Sequence, residues 1–253
     1  MSKPIDPKRW SEGRVYALRR WTGTLYSVQV EAEVQPFLAG QFTKLGLQLD
    51  AEFVERPYSY VNAPQEMPLE FYFVTVPDGP LTRAMTVLQP GDPIWVMRRP
   101  SGFLTVNEVP DARHLWMLAT GTAIGPFLAI LKTAEPWQRF ERIVLVHAVR
   151  TAEELSFADT IKAFADRHPH QFQFIPFVSR EQTGFALPGR IPAALQSSLL
   201  EQRAGLDIRP ETSQIMICGN PDMVKETSAV LQARGLERNR RRTPGHITVE
   251  NYW

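Results

Sequence analysis

A chain of 253 residues, 43% hydrophobic and 22% charged, has room for one large globular domain or two of ordinary size. A net charge of +1 gives no global pull toward nucleic acid, and no apolar run approaches the roughly 18 residues that span a bilayer. The single cysteine, Cys218, excludes an internal disulfide framework and a Cys-ligated iron–sulfur cluster, and the segment from Met1 to Lys8 lacks the apolar core of a signal peptide, so a cytoplasmic location is expected; a monomer and no metal site are separate expectations.

The first hundred residues follow the two-residue period of half-buried strands. Gly13 to Leu18 and Leu25 to Ala32 alternate, a strand-like run ends in Arg56-Pro57-Tyr58-Ser59-Tyr60, and Leu69 to Val76 alternates again. Pro77-Asp78-Gly79-Pro80 breaks that pattern with turn chemistry, and Leu81 to Leu88 suits a short helix. Pro90-Gly91-Asp92 then leads into a strand at Pro93 to Met97. Many short strands punctuated by Gly and Pro predict a small antiparallel β-barrel over residues 1–108.

After Val109-Pro110-Asp111 the pattern changes. His114 to Ala119, Ile143 to Val149, Phe172 to Val178 and Gln214 to Gly219 are nearly unbroken apolar runs, as expected of strands buried on both faces. Helical stretches at Phe127 to Lys132 and Ser156 to Ala165 alternate with them. Residues 109–253 are therefore predicted to form an α/β domain with a parallel sheet covered by helices.

Gly121 and Gly125 lie between a buried strand and a helix, where outward-pointing amides and a close backbone suit a pyrophosphate. Their spacing is not G-x-G-x-x-G, so the glycines alone are weak evidence. The second strand of this half runs into Arg150, the third into Ser179-Arg180, and Arg190 follows. Guanidinium forks at strand ends suit a 2′-phosphate and favour NADPH over NADH. In the first half, Arg56 could neutralise a pyrophosphate, Tyr58 could stack on a planar ring, and Ser59 could hydrogen-bond to it. The chain closes on Glu250-Asn251-Tyr252-Trp253, whose aromatic pair could cover the ring's other face. Arg234, Arg238, Arg240, Arg241 and Arg242 form a run that is either a solvated loop or a patch steering an acidic partner.

Several motifs now stand in a specific order. They are Ala39-Gly40-Gln41-Phe42, Arg56-Pro57-Tyr58-Ser59-Tyr60-Val61, Phe71-Tyr72-Phe73-Val74-Thr75-Val76, the stretch from Ala119 to Pro126, Val178-Ser179-Arg180-Glu181, Cys218-Gly219-Asn220-Pro221 and Tyr252-Trp253. Over nearly the whole chain the sequence resembles the bacterial form of the ferredoxin/flavodoxin–NADP reductase family. The resemblance implies FAD on the barrel, NADP(H) on the α/β domain, and a C-terminal tail that returns to the flavin. It implies FAD contacts at Arg56, Pro57, Tyr58, Ser59, Tyr72, Phe73, Val74, Thr75, Pro80, Leu81, Thr82, Thr122, Tyr252 and Trp253. It implies NADP contacts at Thr122, Val149, Arg150, Ser179, Arg180, Arg190, Asn220 and Asp222.

On this resemblance NADPH gives hydride to the flavin, and electrons pass singly to ferredoxin or flavodoxin. Ser59 orients the flavin, Cys218 borders the nicotinamide, and Glu250 assists a proton or holds that pocket. Glu250-Asn251-Tyr252 matches the Glu-x-Tyr ending of plant members, while Trp253 is an addition. On that match Tyr252 is expected to stack on the isoalloxazine, with Trp253 extending past it toward the FAD adenine, and Tyr252 would then have to move before hydride transfer; the alternative is that Trp253 itself stacks on the ring. Alternatives are a related flavoprotein reductase serving an oxygenase, free flavin or ferric complexes, a non-enzymatic FAD subunit, and an oligonucleotide-binding barrel on an unrelated α/β domain.

Overall fold

The computed structural model describes residues 5–50 and 52–251. Its first half is built from β1 (Trp10–Arg20), β2 (Leu25–Glu31), β3 (Phe42–Leu49), β4 (Glu52–Ser59), β5 (Leu69–Val74), α1 (Pro80–Met85) and β6 (Pro93–Met97). The six strands are antiparallel, in the order β4-β3-β6-β1-β2-β5. The two outer strands curl toward each other. Val61 N–H donates to Glu70 O at 2.9 Å, and Tyr60 bridges Phe71. Alternate residues point inward, so Val28, Val30, Leu45, Phe71, Phe73, Ile94 and Val96 share one core. Burying each such side chain contributes about 1.5–3 kcal/mol. Leu81 and Met85 of α1 close the open end.

Several boundaries differ from the sequence pattern: β1 runs from Trp10 to Arg20 rather than from Gly13 to Leu18, and β2 ends at Glu31 rather than Ala32. β5 stops at Val74 although alternation continues to Val76. The Val76 amide turns instead to Thr82 Oγ1 at 3.1 Å, and Val76 O accepts from Gly79 N–H at 2.9 Å, which tightens the loop. The helix predicted to reach Leu88 is the shorter Pro80–Met85. β3 is not among the strands read from the sequence, although Leu45, Leu47 and Leu49 alternate with Lys44, Gly46 and Gln48 along it.

The second half contains β7 (His114–Thr120), α2 (Ile124–Leu131), α3 (Glu135–Arg139), β8 (Arg142–Val149), α4 (Ala158–Arg167), β9 (Phe172–Val178), β10 (Leu187–Pro188), α5 (Ile191–Gln196), α6 (Leu199–Ala204), β11 (Ser213–Gly219), α7 (Pro221–Gln232) and β12 (Ile247–Asn251). All its strand pairs are parallel, in the order β10-β9-β8-β7-β11-β12. The order reverses between β7 and β11, which is where ligands bind in such sheets, beyond the carboxyl ends of the strands. α5, α6 and α7 cover one face with Leu195, Leu200 and Leu231. α2 and α4 cover the other with Phe127, Leu128, Ile161 and Phe164.

That second core takes in residues of the first half. Leu25, Val61 and Tyr72 pack within it, and every residue of α2 is buried. β12 was not read from the sequence. It is five residues long and follows the arginine-rich loop, and its pairing with β11 is what makes it a strand.

Candidate functional site

The site is assembled where the two sheets meet. From the first half, Ser59 at the end of β4 pairs with Phe42 of β3. Phe42 exchanges two backbone hydrogen bonds of 2.8 Å with Ser101, and Gly102 follows. From the second half, the β11–β12 register sets Cys218 beside Glu250 and Gly219 beside Asn251. Glu250 then reaches across, with Oε1 3.1 Å from where a Cβ on Gly102 would lie. Ser59, Gly102, Cys218 and Glu250 therefore come from four separate stretches of chain to one junction.

The junction perturbs both ionisable groups in it. Burial pushes the Glu250 carboxyl up to about 7, with partial relief from the Phe103 backbone. Glu250 Oε2 is buried and takes no partner among the described residues. Cys218 is fully buried, and burial, followed by the neighbouring Glu250, raises its thiol well above the ordinary value. Such a thiol is a packing group rather than a nucleophile. Gly219 has φ +140°, and a Cβ there would lie 2.0 Å from Thr120 Oγ1. That hydroxyl also accepts from Asn220 N–H at 3.0 Å, so β7 and β11 are locked together at their ends.

The proposed nucleotide positions lie along the carboxyl edge of the parallel sheet. Arg150 and Arg180 are exposed neighbours, joined by Arg180 N–H to Arg150 O at 2.8 Å. Ser179 Oγ donates to the carbonyl of Val149 at 3.1 Å. Arg190 is exposed at the start of α5, just after β10, whose Pro188 pairs with Val178. Glu154 lies 3.9 Å from the Arg150 guanidinium and accepts from its backbone, which orients the arginine without covering it. Thr122 is buried in the turn between β7 and α2. The Asn220 side chain caps α7 by accepting from the amides of Asp222 and Met223, and Asp222 is exposed.

On the barrel side Arg56 is exposed and Tyr58 half-buried, its phenol pushed up to about 12 by burial against a smaller opposing effect of Arg56. Pro57 is accommodated because β4 is an outer strand. The Tyr72 side chain faces the second half, and Phe73 faces the barrel core, where it stacks on Tyr26 at 5.7 Å. Leu81 is likewise in the core, and Thr82 Oγ1 is used within its own loop. Phe73 and Leu81 therefore have only main chain to offer a ligand, whereas Val74 and Thr75 are partly exposed and Pro80 is exposed. Tyr252 and Trp253 lie outside the described residues.

One expectation is corrected. Arg234 does not belong to the exposed arginine run. Its guanidinium pairs with Glu201 at 2.6 Å and donates to Leu195 O, fastening α7 to α5 and α6. Arg238, Arg240, Arg241 and Arg242 remain exposed, with Arg241 lying 3.9 Å over the exposed ring of Phe103. Phe103 and Gly102 had no sequence signal, because their importance comes from the Glu250 contact across the halves. Among the described residues no cluster of His, Cys, Asp or Glu could hold a metal ion, and no helix is long and apolar enough to cross a membrane.

An antiparallel half-barrel packed on a parallel nucleotide-type sheet, with a buried carboxyl and thiol at the junction, defines a two-domain oxidoreductase. Residues 117–229 match the family model of the oxidoreductase NAD-binding domain. The flavodoxin/ferredoxin–NADP reductase of Shigella flexneri is 48% identical over 96% of this chain and 99% of its own. That of Escherichia coli K12 is 47% identical over the same shares. The ferredoxin NADP+ reductase structure from Neisseria gonorrhoeae, with bound FAD and NADP, superposes with a TM-score of 0.92 at 36% identity, covering 97% of this chain and 99% of that one. This chain belongs to the flavodoxin/ferredoxin–NADP reductase family.

Proposed function

We propose that this protein is an FAD-dependent reductase that moves electrons between NADPH and flavodoxin or ferredoxin. The observation that carries the reading is the seating of Glu250 against Gly102, which brings the carboxyl end of the nucleotide sheet onto the strand ladder holding Ser59. The residues fit the cofactors. Glu250 Oε2 is buried and has no partner among the described residues, Gly219 has no side chain to fill the strand end, and Arg56 is exposed beside the Tyr58 ring.

When bound, FAD supplies the conversion between two-electron and one-electron transfer. The chain supplies position and electrostatics. Arg56 neutralises pyrophosphate charge. Tyr58 offers a ring face, and its hydroxyl stays protonated because burial holds it near 12. Ser59 would help to orient the flavin ring. Arg150, Ser179, Arg180 and Arg190 would hold the 2′-phosphate through charge-assisted hydrogen bonds, which favours NADPH. Cys218 gives the nicotinamide a neutral, polarizable wall. Glu250, with its carboxyl near 7, can hold a proton or release it at neutral pH.

The carrier's approach is supported by Arg238, Arg240, Arg241 and Arg242. They are exposed on a loop held by Asn239, which donates to Glu108 O at 2.6 Å and to Thr248 Oγ1 at 3.0 Å. Acidic carriers suit such a face. The test is direct. The purified yellow protein should bleach with NADPH under anaerobic conditions, and flavodoxin or ferredoxin should then accelerate NADPH oxidation. Acceleration by free flavin or ferric complexes alone would replace the carrier reading.

A further inference from the structure

We propose that His147 is a positioning residue for hydride transfer, holding the Gly121–Ala123 turn, and with it Thr122, in place by a hydrogen bond from inside the core. The proposal rests on the reading above, in which this turn lies between the two nucleotides.

The sheet register sets the scene. Glu250, Cys218, Ala119 and His147 stand in one row across β12, β11, β7 and β8, on the face turned toward the barrel. Glu250 and Cys218 of that row lie at the junction. His147 is fully buried, yet it is a polar ring in a strand that is otherwise nearly all apolar. Its Nε2 lies 2.9 Å from the carbonyl oxygen of Gly121. That carbonyl also accepts from the Ile124 amide, so it is held both from its own turn and from the neighbouring strand.

Burial lowers the His147 pKa to about 4, so the ring is neutral and carries one proton. Facing a carbonyl, Nε2 must carry it, which leaves Nδ1 bare. Nδ1 is buried and has no partner among the described residues. An orphaned buried acceptor is unfavourable, and an apolar side chain would fill the same space without it. The compensation is the bond to Gly121. Gly121 has φ +55°, a left-handed turn that sets the direction of the following residues. Thr122 comes next, and α2 begins two residues later. Holding the Gly121 carbonyl therefore fixes where Thr122 and the first amides of α2 point.

The experiment uses the FAD-loaded protein. Nitrogen-15 NMR of the wild-type histidines should show His147 protonated at Nε2 and bare at Nδ1. The opposite tautomer cannot donate to Gly121 and would overturn the proposal. His147→Leu should keep its bound FAD but weaken NADP+ binding by calorimetry and slow hydride transfer, together by about tenfold or more. His147→Gln, whose amide can still donate near the same point, should recover to within about threefold of wild type. A His147→Leu protein that binds and reacts like wild type, or a His147→Gln protein as impaired as His147→Leu, would sink it. Wild-type protein that neither retains FAD nor oxidises NADPH would instead refute the functional reading, and the tautomer result would still report on the turn.

Discussion

The Tyr72 hydroxyl donates to Ser156 Oγ at 2.9 Å, across the boundary between the half-barrel and the parallel sheet. Tyr72 leaves β5 on the side away from the barrel core, and Ser156 lies just before α4. Around them Phe157 packs edge-on to Tyr72 at 5.1 Å and against Trp21 at 4.5 Å. A strand assigned by resemblance to FAD binding thus also ties the two halves together.

Tyr72→Phe should lower stability by about 1–2 kcal/mol, because Ser156 is buried and would lose its partner. Adding Ser156→Ala should cost little more, since both changes remove the same bond. Urea unfolding of the single and double variants measures this, and strictly additive losses would show that the bond contributes nothing.

Glu250 predicts a pH dependence of stability. Its carboxyl is raised from 4.5 to about 7 by burial, so the folded protein holds this proton more tightly than the unfolded chain. The associated stability is complete below the unfolded value and is lost as pH rises through about 7. Wild type should therefore lose urea resistance between pH 4.5 and about 7 relative to Glu250→Gln, which cannot ionise. The same substitution should remove an inflection near neutrality from the hydride-transfer rate. Parallel stability profiles for the two proteins would contradict the buried-carboxyl account.

Gly219→Ala should be disruptive for a local reason. The added methyl would lie 2.0 Å from Thr120 Oγ1, and the backbone there has φ +140°. A loss of about 1–3 kcal/mol is expected from the strain, with a raised KM for NADPH as β7 and β11 separate at their ends. Thermal unfolding and steady-state kinetics together test it.

Arg150→Ala and Arg180→Ala should each raise KM for NADPH while leaving NADH almost unaffected. A charge-assisted hydrogen bond contributes about 1.5–3 kcal/mol, or roughly 10- to 100-fold in affinity. Equal losses with both nucleotides would mean that these side chains do not read the 2′-phosphate.

Carrier reduction should slow as ionic strength rises, and more steeply in wild type than in an Arg240→Ala/Arg242→Ala variant, because screening removes only the attraction those charges provide. Arg234→Ala should behave differently. It should destabilise the fold through Glu201 and leave the salt dependence unchanged. Stopped-flow reduction of flavodoxin at several salt concentrations separates the two.

What could be read from sequence followed from local periodicity. The expected bounds of β6 and β9 match the structure to the residue, since the Gly91-Asp92 turn leads into the one at Pro93 and the apolar run of Phe172 to Val178 defines the other. β12 marks the limit of that reading: at five residues it is no shorter than β6, and what fixes it is its register against β11. The same limit explains the site. Arg150, Ser179 and Arg180 stand at ends of strands that the sequence displays, so their neighbourhood was expected. The contact of Glu250 with Gly102 joins positions 148 apart in the chain (250 − 102), and no local pattern announces it. Arg234 was grouped with its neighbours by sequence distance alone, whereas its partner, Glu201, lies 33 residues back.

Leu25, Val61 and Tyr72 belong to the hydrophobic core of the second half. The chain is therefore less modular than its two sheets suggest. A nucleotide-binding half exchanged for that of a distant relative would arrive with α2 shaped for other side chains, and the graft would leave holes or clashes where Val61 and Tyr72 now fit. Successful chimeras of this protein should carry those three residues with the transplanted half, which puts the useful crossover points inside the barrel as well as at the linker.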